Sequence, residues 1–109
     1  MSARRARPQL PLYSATKAAV DALTLSLAKL LGPRRITVNG IAPGAIETDI
    51  TSALMRGDDP QLRAYYASRS VLGRIGQPED VARVAAFLAS DDADWITGET
   101  IAASGGQEL

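Results

Sequence analysis

Ile36-Thr37-Val38-Asn39-Gly40-Ile41-Ala42-Pro43-Gly44 is the stretch that decides the fold. Its β-branched run over residues 36–41 reads as a short strand, stopped by Pro43-Gly44. Downstream, Pro78-Glu79-Asp80-Val81 opens a helix. Proline suits the first turn, and the two acids complement the positive end of the helix dipole. Val81, Val84, Ala85 and Leu88 recur on one face. The helix fades at Ser90-Asp91-Asp92, and Thr100-Ile101-Ala102-Ala103 reads as a last strand, closed by Gly105-Gly106. Strand, crossover helix, strand is a βαβ unit, so the strands are expected to be parallel and the crossover right-handed. Two parallel strands are too few to stand alone, because an all-parallel sheet needs cover on both faces. The outer edge of residues 36–41 is therefore expected to be unpaired. The fold class is α/β, and the chain reads as part of a doubly wound parallel sheet.

Upstream of the first strand, residues 11–31 are expected to form one long helix. Pro11 suits its first turn, Val20, Leu23, Leu27, Leu30 and Leu31 recur at helical spacing, and Gly32-Pro33 ends it. A second apolar line through Leu25 points to burial on more than one side, hence a partner helix or subunit. This helix carries Tyr13-Ser14-Ala15-Thr16-Lys17-Ala18-Ala19-Val20. Four residues make about one turn, so Tyr13 and Lys17 leave the same face. A phenol beside an ammonium is a proton-transfer device. A free phenol ionises near pH 10, and bringing one to neutrality takes roughly 4 kcal/mol. A unit positive charge about 4 Å away supplies roughly that at an effective dielectric near 20. Taken alone, such a pair on a helix is more often a solvated surface pair.

Between strand and second helix, residues 45–77 read as largely irregular, with short helical stretches near 51–56 and 60–68. A connection this long is characteristic of a functional loop or lid.

Twelve basic and twelve acidic residues cancel, so no broad field favours nucleic acid or an anionic membrane. Arg4, Arg5 and Arg7 make a basic tail over residues 1–10, expected to be disordered. Pro8, Gln9 and Pro11 break any apolar run after them, which argues against a secretory signal. No stretch approaches the ~20 apolar residues of a membrane span. Cysteine and histidine are both absent. That excludes disulfides, thiolate nucleophiles, histidine-ligated metal and a Ser-His-Asp triad. The chemistry must use Tyr, Lys, Asp or Glu, no metal is expected, and a cysteine-free chain fits the reducing cytoplasm.

Four motifs, in order across residues 11–107, resemble the short-chain dehydrogenase/reductase family. They are Tyr13-x-x-x-Lys17 with Ala18-Ala19, the Val38-Asn39-Gly40-Ile41-Ala42-Pro43-Gly44-Ala45-Ile46-Glu47-Thr48 segment, Leu72-Gly73-Arg74-Ile75-Gly76-Gln77-Pro78-Glu79-Asp80-Val81-Ala82, and Ile96-Thr97-Gly98-Glu99-Thr100 through Gly105-Gly106. The resemblance implies a Rossmann-like domain and an NAD(P)-dependent oxidoreductase moving hydride between the nicotinamide of NAD or NADP and a carbonyl or secondary alcohol. Tyr13 would be the general acid/base. Lys17 would assist Tyr13 and bind the nicotinamide ribose. Pro43 and Gly44 would form the cofactor turn, Ile46 would bind the carboxamide through its backbone, and Thr48 would contact the cofactor by its hydroxyl. A substrate lid would span about residues 49–77, with Tyr65 and Tyr66 able to touch substrate. Blander roles compete at three places: Pro43-Gly44 as a plain strand-ending turn, Thr48 as a helix cap, and Tyr65 and Tyr66 as lid packing.

The chain also departs from the family pattern. The glycine-rich turn that seats a pyrophosphate on a helix N-terminus has no counterpart in these residues. The family's catalytic serine and asparagine have none either, and Ser2 stands at the wrong spacing. The chain thus reads as the C-terminal portion of such an enzyme, binding dinucleotide poorly by itself. Two alternatives stand beside it: a non-catalytic module pairing with full-length relatives or with itself, and a gene remnant. The substrate, and NAD against NADP, are not encoded in these residues.

Overall fold

The structure, a computed structural model, describes residues 10–49, 51 and 59–107. The basic tail at Arg4, Arg5 and Arg7, with Ser2, lies outside the described residues, as does most of the short helix expected over 51–56.

Helix α1 spans Pro11–Leu31, with proline in its first turn. The Ser14 N–H donates to the Leu10 carbonyl at 3.0 Å and closes the first turn. A short 3₁₀ turn over Gly32–Arg34 follows, and Arg35 leaves it in the left-handed region at φ 59°. Strand β1 is Gly40–Pro43, helix α2 is Pro60–Ser68, helix α3 is Pro78–Leu88, and strand β2 is Thr100–Ala103. The two strands pair in parallel, with Gly40 opposite Thr100 and Pro43 opposite Ala103. The expected βαβ unit is therefore present, in a two-stranded sheet.

The first strand is displaced from its expected position. Propensity placed it at residues 36–41, whereas the ladder begins only at Gly40. The preceding residues are bonded instead to the turn that leads into β2. The Val38 N–H donates to Thr97 Oγ1 at 3.0 Å, and the Val38 carbonyl accepts from the Gly98 N–H at 2.8 Å. The Asn39 amide spans the same turn, donating from Nδ2 to the Ile96 carbonyl at 2.8 Å and accepting the Glu99 N–H on Oδ1 at 3.1 Å. Gly98 makes this possible, because it sits at φ +76°, where other residues are strained. Proline ends the strand, where its missing N–H disturbs the ladder least. The Gly44 N–H carries the pairing one step further, to the Ala103 carbonyl at 3.2 Å.

The described residues between the strand and α3 carry more structure than their sequence indicates. Asp59 caps α2 by accepting the N–H groups of Gln61 and Leu62. Ile46 and Gly76 form a parallel bridge, so residues 45–47 and 76 run side by side. At the start of α3, the Gln77 N–H donates to Asp80 Oδ2 at 2.8 Å, and Arg74 grips the same carboxylate through two bonds of 2.6 and 2.9 Å.

Among the described residues, Thr24, Ala28, Ala42, Ile75 and Ala93 are buried. All but Ile75 are small, so the core is thin. On α1, Leu12, Val20, Leu23, Leu25 and Leu30 stay exposed. No helix among the described residues is long and apolar enough to cross a membrane.

Candidate active site

A cleft of about 580 Å³ lies between α1 and the carboxyl end of β1. That is where open parallel sheets bind ligands, and the volume suits a small organic molecule. One wall is the α1 face bearing Tyr13, Lys17 and Asp21, and the opposite wall is β1 with the Pro43-Gly44 turn. Tyr66 of α2 and Gln107 complete the lining.

Helical spacing puts the Lys17 ammonium over the Tyr13 ring, with Nζ 5.5 Å from the ring centroid. That is within reach of a cation–π attraction. Tyr13 is 42% exposed, so the cleft is open to water along this edge. One turn further on, Asp21 Oδ1 accepts from Thr100 Oγ1 at 3.1 Å. This bond ties the Tyr13 helix to β2 and fixes its distance from the sheet.

The Pro43-Gly44 turn is held against the end of β2. A Cβ on Gly44 would meet Gln107 Oε1 at 2.7 Å and Ser104 Cα at 2.8 Å, so glycine is required for this approach. The following Ala45 N–H donates to Gln107 Oε1 at 2.6 Å.

The structure gathers Tyr13, Lys17, Pro43, Gly44 and Tyr66 around one cleft. Ile46 and Thr48 do not line it. Ile46 instead lines a smaller cavity of about 180 Å³ on the side toward α3. Its carbonyl accepts from Thr51 Oγ1 at 2.9 Å. Thr48 and Thr51 bond reciprocally: the Thr48 N–H donates to Thr51 Oγ1 at 2.7 Å, and the Thr51 N–H donates to Thr48 Oγ1 at 3.3 Å. That is the geometry of a cap. Tyr65 packs edge-on against Tyr66, with centroids 5.4 Å apart, and is itself half exposed.

Three residues that sequence reasoning did not single out shape the site. Asn39 and Gln107 line the cleft and fasten its far wall. Glu47 accepts from Gln77 Nε2 at 2.8 Å and from Arg63 Nη2 at 2.7 Å. These two donors, Gln77 first, hold the Glu47 carboxyl below its usual range, outweighing a small opposing effect of burial. The Arg74 guanidinium holds Asp80 well below the carboxylate range, helped by the Gln77 N–H. Arg74 is raised in turn by that carboxylate.

A family model described as Enoyl-(Acyl carrier protein) reductase matches residues 1–108. Among curated relatives, a 3-oxoacyl-[acyl-carrier-protein] reductase, FabG of Aquifex aeolicus, is 48% identical over 94 residues, covering 86% of this chain and 36% of that protein. The angucycline C-6 ketoreductase LanV, solved with bound NADP, superposes with a TM-score of 0.82 at 42% identity, over 95% of this chain and 39% of that one. A short-chain dehydrogenase/reductase from Brucella melitensis superposes with a TM-score of 0.85 at 37% identity, over 98% of this chain and 42% of that one. The chain therefore spans about two fifths of the length of these proteins. The ordered motifs, the βαβ unit with its cleft and these likenesses agree: the chain belongs to the short-chain dehydrogenase/reductase family.

Proposed function

We propose that these residues are the acid–base portion of an NAD(P)-dependent oxidoreductase that interconverts a small-molecule ketone and a secondary alcohol. The observation that carries the reading is the convergence of Tyr13, Lys17 and the Pro43-Gly44 turn on one cleft at the carboxyl end of β1. The residues present fit the nicotinamide end of such a cofactor: an ammonium for ribose hydroxyls, and a turn whose backbone approaches closely. When bound, that group supplies the hydride. Tyr13 donates a proton to the nascent alkoxide in reduction and takes it back in oxidation. Lys17 stabilises the phenolate through its positive charge. Asp21, held by Thr100, keeps α1 at the spacing the pair needs. Tyr66 closes the cleft from the lid side. The Ile46 and Thr48 backbone and hydroxyl contacts to cofactor belong to this reading, as does a cytoplasmic setting.

The 109 residues contain no G-x-G sequence to cradle a pyrophosphate. By themselves they are accordingly proposed to bind dinucleotide weakly and to be inactive. Exposed Leu12, Val20, Leu23 and Leu30 on α1 favour a second reading, in which the chain pairs with itself or with a full-length relative.

Both parts are testable. Fluorescence titration of the chain with NADH and NADPH is expected to show no saturable low-micromolar binding, and such binding would sink the claim of incompetence. Residues 10–107 grafted in place of the matching segment of the Aquifex aeolicus reductase should keep nicotinamide-dependent ketone reduction. Tyr13→Phe in that chimera should lower the turnover by about 10² or more, the scale of general acid–base catalysis. A chimera that reduces ketones equally well without the Tyr13 hydroxyl would overturn the catalytic assignment.

A further inference from the structure

Glu47 stands on a fixed base. Its N–H donates to the Gly76 carbonyl at 2.8 Å, and the Gly76 N–H donates to the Ala45 carbonyl at 2.9 Å. The approach is close: a Cβ on Gly76 would lie 2.5 Å from Ile46 Cδ1. From this base the carboxylate reaches in two directions. Oε2 takes the Gln77 amide at the start of α3, and Oε1 takes the Arg63 guanidinium of α2 at 2.7 Å.

Helix α2 has no fully buried residue, and Leu62, Tyr66 and Ala67 are only half-buried, so apolar packing holds it in part. Beyond its end, Ser70 Oγ donates to the Gly105 carbonyl at 2.9 Å, which leaves the Arg63–Glu47 pair as the polar tie, among the described residues, from the helix itself to the strand side. The helix carries Tyr66, which lines the cleft with Tyr13 and Lys17. Arg63 and Tyr66 are three apart on a helix and therefore neighbours on one face. The face that Glu47 holds is thus the face that looks into the cleft.

We propose that Glu47 is a positioning residue: through Arg63 it fixes α2, and with it Tyr66, over the Tyr13–Lys17 cleft. Glu47 thereby sets the width of the opening a carbonyl substrate passes, a consequence that rests on the oxidoreductase reading. The placement of α2 itself does not rest on it.

Hydrogen–deuterium exchange of the 109-residue protein reads that placement without cofactor or substrate, so its failure is distinct from failure of the catalytic reading. Arg63→Glu sets two carboxylates face to face. Amide exchange over residues 60–68 should then rise about fivefold, the most that an exposed ion pair contributes, with residues 11–31 and 78–88 unchanged. The charge-swapped variant, Glu47→Arg with Arg63→Glu, should return exchange to within about twofold of the parent, because Gln77 can turn its amide to present oxygen in place of nitrogen. With 3-fluorotyrosine incorporated, the Tyr66 fluorine resonance, assigned through Tyr66→Phe, should move in Arg63→Glu and return in the swap. Generic loss of structure would not reverse on exchanging the charges. Unchanged exchange in Arg63→Glu, a swap that fails to restore protection, or a parent whose residues 60–68 exchange at the unstructured rate would each overturn the proposal.

Discussion

Replacing Asn39 by alanine is expected to loosen the wall of the cleft more than any propensity scale indicates. The Asn39 amide makes two hydrogen bonds across the lead-in to the sheet, one to the Ile96 carbonyl at 2.8 Å and one from the Glu99 N–H at 3.1 Å. A protein hydrogen bond contributes about 1 kcal/mol net, so losing both costs about 2 kcal/mol. In urea, with a slope of about 1–3 kcal/mol/M, the midpoint should fall by roughly 1 M without a change in slope. By heat the shift should be about 10 °C. Asn39→Asp is the informative control. It retains an acceptor for Glu99 but turns an oxygen toward the Ile96 carbonyl, so it should lose at least half as much as alanine. An alanine variant within about 0.5 kcal/mol of the parent, the ordinary range of a surface substitution, would refute the claim that this amide anchors β1 to the turn before β2.

Two further outcomes follow from local geometry and charge. Gly44→Ala drives a Cβ to within 2.9 Å of backbone at Ser104 and should cost about 1–3 kcal/mol, whereas Gly32→Ala, which enters open space at helical dihedrals, should be neutral or gain about 0.4–1 kcal/mol; urea titration of both variants checks the contrast. Asp80 and Glu47 have folded-state values below their unfolded ones, so their contribution is complete above the unfolded value and lost as pH falls through the folded one. The urea midpoint should therefore stay level from about pH 7 to 5 and fall below about pH 4, while Asp80→Asn should start lower at pH 7 and show a shallower acid limb. An acid limb as steep in Asp80→Asn as in the parent would remove Asp80 as the cause.

What could be read from the sequence was what local chemistry writes there. Helices α1, α2 and α3 each begin at a proline, Pro11, Pro60 and Pro78, whose fixed φ and missing N–H suit a first turn, and their bounds were legible for that reason. Tyr13 and Lys17 were legible because one turn of helix alone brings them together. The first strand was misplaced because Val38 and Asn39 are claimed by a turn nearly sixty residues away, through backbone bonds, the asparagine side chain and a glycine with positive φ, while the Ile36 N–H turns back to the Leu31 carbonyl. The supports of the site were hidden for the same reason. Arg63 reaches Glu47 across 16 positions, Gln77 across 30, and Gln107 reaches Ala45 across 62. No periodicity or capping signal connects such partners, since each is an ordinary polar residue until the fold brings it to its mate.

The cleft also indicates what its chemistry requires. Two unit charges about 4 Å apart interact by about 4 kcal/mol at an effective dielectric of 20, but by only about 1 kcal/mol in bulk water. The first figure matches what a phenol needs to act near neutral pH, and the second falls well short of it. The surroundings of the Tyr13–Lys17 pair therefore decide whether it works, more than its spacing does. Tyr13 is 42% exposed and Val20 and Leu23 of the same helix are about half exposed, so this edge of the cleft is open to water. Anything further that covers this edge, whether bound ligand or apolar surface from a partner, moves the pair toward the dry end of that range. The Coulomb attraction then rises severalfold with no change in the distance between the two side chains. Cover also strips water from both groups, so it favours the charged pair only where the gain in attraction exceeds the cost of desolvating it, and the exposed leucines of α1 are where such cover has apolar surface to meet.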